Sequence, residues 1–295
     1  MTSLPQPVPP SWKDLGKSST DLLQKDYQIL GNSLEVKTKT PTGVTFKVAG
    51  SQPSNSSVVT GDVEAKFVNK KQGLTFTGTW TTANVLKAQA EVENQIANGL
   101  KVDLLTTLSP AKGNAKTLVI NGAYKQSGIH SRAALDVLKG PTFTADTVFG
   151  RDGFLVGAEA AYNVTEGRIS RYQLAAGFSA PEYAVTLHAL NDLKAFSASY
   201  YHRVSKDVEA GAKAIYDPKF NGAVSIEVGT KTYLDSAAFV KAKINNSGVL
   251  GLGYTQSLRP GIKASFGVAV DTQKLNEVDP SGAAHKVGLS LVFEA

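Results

Sequence analysis

Near its C-terminal end, His285 to Phe293 sets Lys286, Gly288 and Ser290 alternately against Val287, Leu289, Leu291 and Phe293. The same two-residue alternation recurs along most of the chain. Leu34, Val36 and Thr38 alternate with Glu35, Lys37 and Lys39, and Val44, Phe46 and Val48 follow the Pro41-Thr42-Gly43 turn. Val63, Ala65 and Phe67 face away from Glu64 and Lys66. Gly73 to Trp80, Leu100 to Leu104, Leu118 to Tyr124 and His130 to Asp136 repeat the pattern, with Gly, Asn, Asp and Pro between them. Later, Ala210, Ala212 and Ala214 oppose Glu209, Gly211 and Lys213, and Ala238 to Ile244 and Ile262 to Phe266 do likewise. A period of two held over so many segments gives each strand two faces in two different solvents. The charges keep to one face and the apolar set is thin, which predicts lipid on one side of a sheet and water on the other.

Only Pro9 to Tyr27 reads as helix. Ser11 can cap with Asp14 three residues on, and Trp12, Leu15, Ser19 and Leu22 fall at three- and four-residue spacings opposite Lys13, Asp14, Lys17 and Asp21. So narrow an apolar stripe needs a second surface, a barrel wall or a membrane interface. A strand crossing hydrocarbon at a tilt takes about 9 to 11 residues and its turn about 4, so the chain beyond Tyr27 holds about 19 strands. Closed, they form a ring roughly 38 Å across, too wide for side chains to fill. The expected fold class is all-β, a transmembrane β-barrel of about 19 strands, with residues 1–27 as an N-terminal helical segment and 28–295 as the barrel.

Composition agrees. Among 295 residues no run of eighteen apolar positions occurs, and the mean hydropathy of -0.12 is what a barrel with half its strand residues in water would show. There is no cysteine, hence no disulfide framework, thiolate metal site or cysteine nucleophile. Met1 to Pro10 lacks a basic stretch followed by an apolar one, which points away from a secretory signal and towards an organelle. The net charge of +6 favours anionic partners, but the basic residues are spread singly, without the dense run that grips nucleic acid.

Four stretches carry a resemblance: Leu15 to Tyr27 (LGKSSTDLLQKDY), Gly73 to Trp80 (GLTFTGTW), Asn98 to Lys101 (NGLK) and Lys243 to Lys263 (KINNSGVLGLGYTQSLRPGIK). In this order and spacing the chain resembles the voltage-dependent anion channels, the mitochondrial outer-membrane porins, most closely those of fungal type. Mitochondrial members have 19 strands, with which the count agrees. The resemblance implies parallel pairing of the first and last strands and a helix inside the pore, with Leu15 and Leu22 on the wall and Lys13, Lys17 and Lys25 in water. It further implies voltage gating and weak nucleotide contact at Lys17, Lys25 and Lys101. Lys286, Gly288, Leu291 and Phe293 fit the signal that delivers mitochondrial barrels to the outer-membrane sorting machinery. Many animal members carry a bilayer-facing glutamate where this chain has Gly78, so regulation that depends on that carboxylate is in doubt.

The expected function is a voltage-gated, weakly anion-selective pore of the mitochondrial outer membrane for ATP, ADP, phosphate and other small solutes. By parity, Lys37, Lys39, Lys66, Lys101, Arg132, Lys213, Lys243, Lys263 and Lys286 line it, joined by Lys17 on the helix. The partners implied are membrane lipids, the sorting machinery, adenine nucleotides and inorganic anions as permeating species, and further copies of the chain as a homo-oligomer. No cofactor or metal is called for. Enzyme signatures are missing: no G-x-S-x-G, no phosphate-binding G-x-x-x-x-G-K-[ST] and no H-E-x-x-H, while His130, His188, His202 and His285 stand singly. Two alternatives stay open. A soluble ligand-binding β-barrel would reverse the two faces, and an import-type structural barrel of the same membrane would share them.

Overall fold

The computed structural model describes residues 6–29, 31–53, 58–110, 115–138, 140–219, 222–275 and 285–295. Nineteen strands, from β1 (Asn32–Lys39) to β19 (Lys286–Glu294), form one sheet in which each strand pairs antiparallel with the next in sequence. The ring closes by a parallel ladder between β1 and β19, running from Asn32 opposite Leu289 to Lys37 opposite Glu294. Ser33 and Ser290 hydrogen-bond side chain to side chain across it at 2.8 Å. Closure leaves no edge, the condition for a sheet to stand in hydrocarbon.

The alternation sorts the two faces as expected. Leu34, Val36, Phe46, Val48, Trp80, Phe149, Phe154, Val156, Leu187 and Leu289 are exposed on one face, Trp80 by 58% and Phe154 by 65%. Charged residues and the N-terminal segment occupy the other, which is therefore the inside. No helix among the described residues is long and apolar enough to cross a membrane.

The N-terminal segment departs from the continuous helix expected over Pro9 to Tyr27. Trp12–Asp14 is a 3-10 turn, Leu15 is extended, Gly16 is left-handed at φ 72°, and α1 covers only Lys17–Gln24. The break has a local cause. Ser11 does not cap a backbone N–H; its hydroxyl donates to the Asp14 carboxylate at 2.6 Å. Gly16 supplies the left-handed residue that turns the chain, and a Cβ there would sit 2.8 Å from Ser199 Oγ on the wall. The turn re-aims the apolar stripe, so Leu23, outside the expected set, becomes fully buried beside Leu22.

Candidate functional site

The segment is held along its whole length on the inner wall. At its start, Ser127 Oγ donates to the Gln6 carbonyl, Gly128 N to the Pro7 carbonyl at 3.3 Å, and a His130 ring nitrogen lies 3.1 Å from the Pro9 carbonyl. Trp12 and Leu15 then pack with Val148 of β9 (Thr142–Arg151) and Ala175 of β11 (Arg168–Ser179), and Trp12 meets the His188 ring edge-on at 5.8 Å. Next, Ser19 Oγ donates to the Ala212 carbonyl of β14 (Val208–Tyr216) at 3.0 Å.

A row of inward glycines lets the backbone come so close. Gly211 of β14 pairs in register with Gly229 of β15 (Val224–Tyr233). Farther round, Gly253 of β17 (Val249–Arg259) pairs with Gly267 of β18 (Ile262–Asp271), which pairs with Gly288 of β19. A Cβ at Gly211 would meet Leu22 Cδ2 at 3.3 Å, at Gly229 Leu23 Cδ2 at 2.8 Å, and at Gly253 the Asp26 carbonyl at 2.8 Å. At Gly267 it would collide with main-chain N and C of Gln28, both at 2.6 Å. The end of α1 meets β16 (Ala238–Asn245), where Lys241 and Lys243 reach its carbonyls.

All nine wall residues expected from parity lie on the inner face, but their charges are used differently. Lys37 and Lys47 share Glu35 at 2.9 and 3.0 Å, Lys101 pairs with Glu91 at 3.1 Å, and Lys243 with Glu227 at 2.9 Å. The Arg132 guanidinium donates twice to Asp146, at 3.1 and 2.7 Å, and Lys263 lies 3.3 Å from Asp26. Among the described residues Lys39, Lys66, Lys213 and Lys286 form no salt bridge. Lys87 and Lys125, which also face inward, share that state and were not picked out from the sequence. Their signal was present: Lys87 follows Leu86, and Lys125 follows Tyr124, both exposed on the outer face.

The sequence that builds this closed ring, greasy outside and charged inside with a segment laid along its wall, is itself that of a known family. The sequence model of the eukaryotic porin family matches residues 8–288. The chain belongs to the eukaryotic porin family. It is 43% identical over 287 residues to a mitochondrial outer membrane protein porin of Neurospora crassa, covering 97% of this chain and 99% of that one. The corresponding Candida albicans protein is 39% identical over 289 residues, covering 98% and 100%. The human non-selective voltage-gated ion channel VDAC2 is 34% identical over 292 residues, covering 99% and 97%.

Within this eukaryotic porin, Leu15 and Leu22 are both buried on the wall, while Lys17 and Lys25 are exposed and paired with Asp14 and Asp21 at 2.7 Å each. The Lys17 and Ser11 hydrogen bonds hold the Asp14 carboxyl below its ordinary value. Lys101 sits on β6 (Leu100–Ser109), whereas α1 packs on β13 (Ala195–Arg203), β14 and β15. No contact among the described residues joins Lys17, Lys25 and Lys101 into one cluster. Of the four residues expected to form a sorting signal, Lys286 and Gly288 face in and Leu291 and Phe293 face out. Gly288 also lets the segment come close, since a Cβ on it would strike the Gln28 carbonyl at 2.6 Å. Gly78 faces lipid with nothing within 4 Å of where a Cβ would stand.

Proposed function

We propose that the chain is a voltage-gated, weakly anion-selective diffusion pore of the mitochondrial outer membrane, passing ATP, ADP, phosphate and other small metabolites and ions. The observation that carries this is the distribution of charge on a closed ring. Apolar residues such as Phe154 and Trp80 stand exposed outside while the charged positions line the inside. A soluble ligand-binding barrel would need the reverse. The names of the relatives favour a pore over an import-type barrel.

Such a pore needs no chemistry, because solutes cross by diffusion and fixed charge only biases their local concentration. The bias is modest: the Debye length is about 8 Å at physiological salt, so the centre of a wide lumen is largely screened. Lys39, Lys66, Lys87, Lys125, Lys213 and Lys286, which form no salt bridge among the described residues, are the strongest candidates for anion accumulation. Lys37, Lys101, Arg132, Lys243 and Lys263 contribute through pairs. Lys17 and Lys25 meet permeating nucleotides on the exposed side of α1, and Lys101 meets them on the wall. Lys286, Gly288, Leu291 and Phe293 serve recognition by the sorting machinery. Gating requires charge to move through the field, at about 2.3 kcal/mol per charge per 100 mV.

The test is a planar-bilayer recording of the refolded protein under a KCl gradient. Large steps that reverse on the anion side and close at higher voltage of either sign are expected. Lys17→Glu with Lys66→Glu should weaken or reverse the preference. An unchanged reversal potential in that double variant, or protein that stays folded and soluble without detergent, would overturn the proposal.

A further inference from the structure

The carboxyl end of α1 is met by a side-chain cluster far away in sequence. Lys241 Nζ donates to the Asp21 and Lys25 carbonyls at 3.0 and 2.9 Å and lies 3.5 Å from Asp26 Oδ2. Lys243 Nζ donates to the Leu23 carbonyl at 2.7 Å. Lys263 reaches the other Asp26 oxygen at 3.3 Å. The Tyr27 ring lies beneath, 5.5 Å from the Lys241 ammonium and 4.7 Å from that of Lys243. The last carbonyls of a helix have no partner within it, and cations are favoured at its negative end. Here the wall supplies the cations and the partners of the Leu23 and Lys25 carbonyls, while the Asp21 carbonyl also accepts from Lys25 N at 3.1 Å.

Asp26 gives a second, independent indication. It follows the helix in a left-handed conformation, φ 61°, at the place where glycine is the usual residue. Glycine would remove that backbone cost. An aspartate is kept there with its two oxygens divided between Lys241 and Lys263. The Lys241 side chain is only 3% exposed, so its charge is covered by the segment and not offered to the lumen.

We infer that Lys241, Lys243, Lys263 and Asp26 form a latch that positions the N-terminal segment against the pore wall. The bonds are between formal or partial charges at 2.7 to 3.5 Å, the kind whose loss is felt most strongly when one partner stays buried. The amino end of the segment is instead held by hydrogen bonds of Gln6, Pro7 and Pro9, one of them from Gln6 Nε2 to the Asp152 carboxylate at 3.0 Å, and by the Trp12 contact.

The absence of native cysteine makes a direct test clean. Ser19→Cys changes one atom at a buried position on α1, and its maleimide labelling rate in refolded, detergent-held protein reports exposure of the segment. With Lys241→Met and Lys243→Met added, labelling should be about tenfold faster or more while the β-sheet circular dichroism is kept. If that variant does not refold, Asp26→Asn decides. Asparagine tolerates the left-handed conformation at least as well, so any acceleration reports the lost carboxylate and not the backbone. Acceleration in Asp26→Asn supports the latch; labelling at the parent rate in the variants that fold overturns it. No current is recorded, so failure here is separate from failure of the pore reading.

Discussion

Leu23→Ala is the sharpest probe of how firmly the segment sits on the wall. Leu23 has 0% exposure and its Cδ2 stands 2.8 Å from where a Gly229 Cβ would be, so the site is a fitted socket of side chain into glycine. Truncating a buried leucine costs about 2 to 5 kcal/mol, the spread reflecting how far the site collapses. At the lower end of that range the loss is about 2 kcal/mol, or roughly thirtyfold in the docking equilibrium. Amide hydrogen exchange reads that equilibrium directly where opening and closing are fast. In detergent-held protein, exchange across 17–27 should quicken roughly thirtyfold, while strands away from the segment keep the parent rates. Lys13→Ala, on the exposed side, should change nothing. If the exchange of 17–27 is unmoved by Leu23→Ala, the segment is not held by this contact and the packing argument fails.

Gly267→Ala should destabilise the docked segment by about 1 to 3 kcal/mol, because its methyl meets main chain that cannot step aside, whereas Gly78→Ala should leave it unchanged; both are read by denaturant titration in detergent. Asp14 has its pKa lowered by Lys17 and Ser11, so its contribution to docking is present above the unfolded value of 3.8 and is lost as pH falls through the lower folded value. With Trp80→Phe leaving Trp12 as the sole tryptophan, quenching by acrylamide should rise on acidification below about pH 4 and rise less in Asp14→Asn. Neutralising a whole pair, Lys101→Met with Glu91→Gln, should move the bilayer reversal potential less than Lys66→Met alone, since only the second changes the net lumen charge.

The alternation that gave β1 and β19 away arises because one face meets hydrocarbon and the other meets water and charge. It fades where the inner face meets the segment. Along β10 (Phe154–Asn163) the inward positions include Gly157 and Ala161, and on β11 they include Ala175 and Gly177. Next to the segment small residues break up the inward polar row of Glu159, Arg171 and Gln173, so the alternation on these strands is weak. Leu15 and Leu22 were legible from helical spacing. Leu23 was not, because the turn at Leu15 and Gly16 that rotates it inward depends on the wall it packs against. Nor could Lys241 be told apart from its neighbours: its partners Asp21 and Lys25 lie more than 200 positions earlier, and nothing local marks a lysine whose charge is spent on carbonyls.

The parallel closure of β1 on β19 also bears on how the molecule can come into being. Every other ladder joins strands consecutive in sequence, but this one joins the first strand to the last, Asn32 to Leu289. Until β19 has been made and delivered, no subset of strands can form the ring, and each shorter assembly carries two raw edges of unpaired amides and carbonyls. Hydrocarbon does not tolerate such edges. The barrel therefore cannot grow strand by strand in the bilayer. The growing sheet must be shielded from lipid until the nine residues of β19 arrive, and that strand, through Gly288, also completes the wall against which the main chain of Gln28 and Gly31 lies.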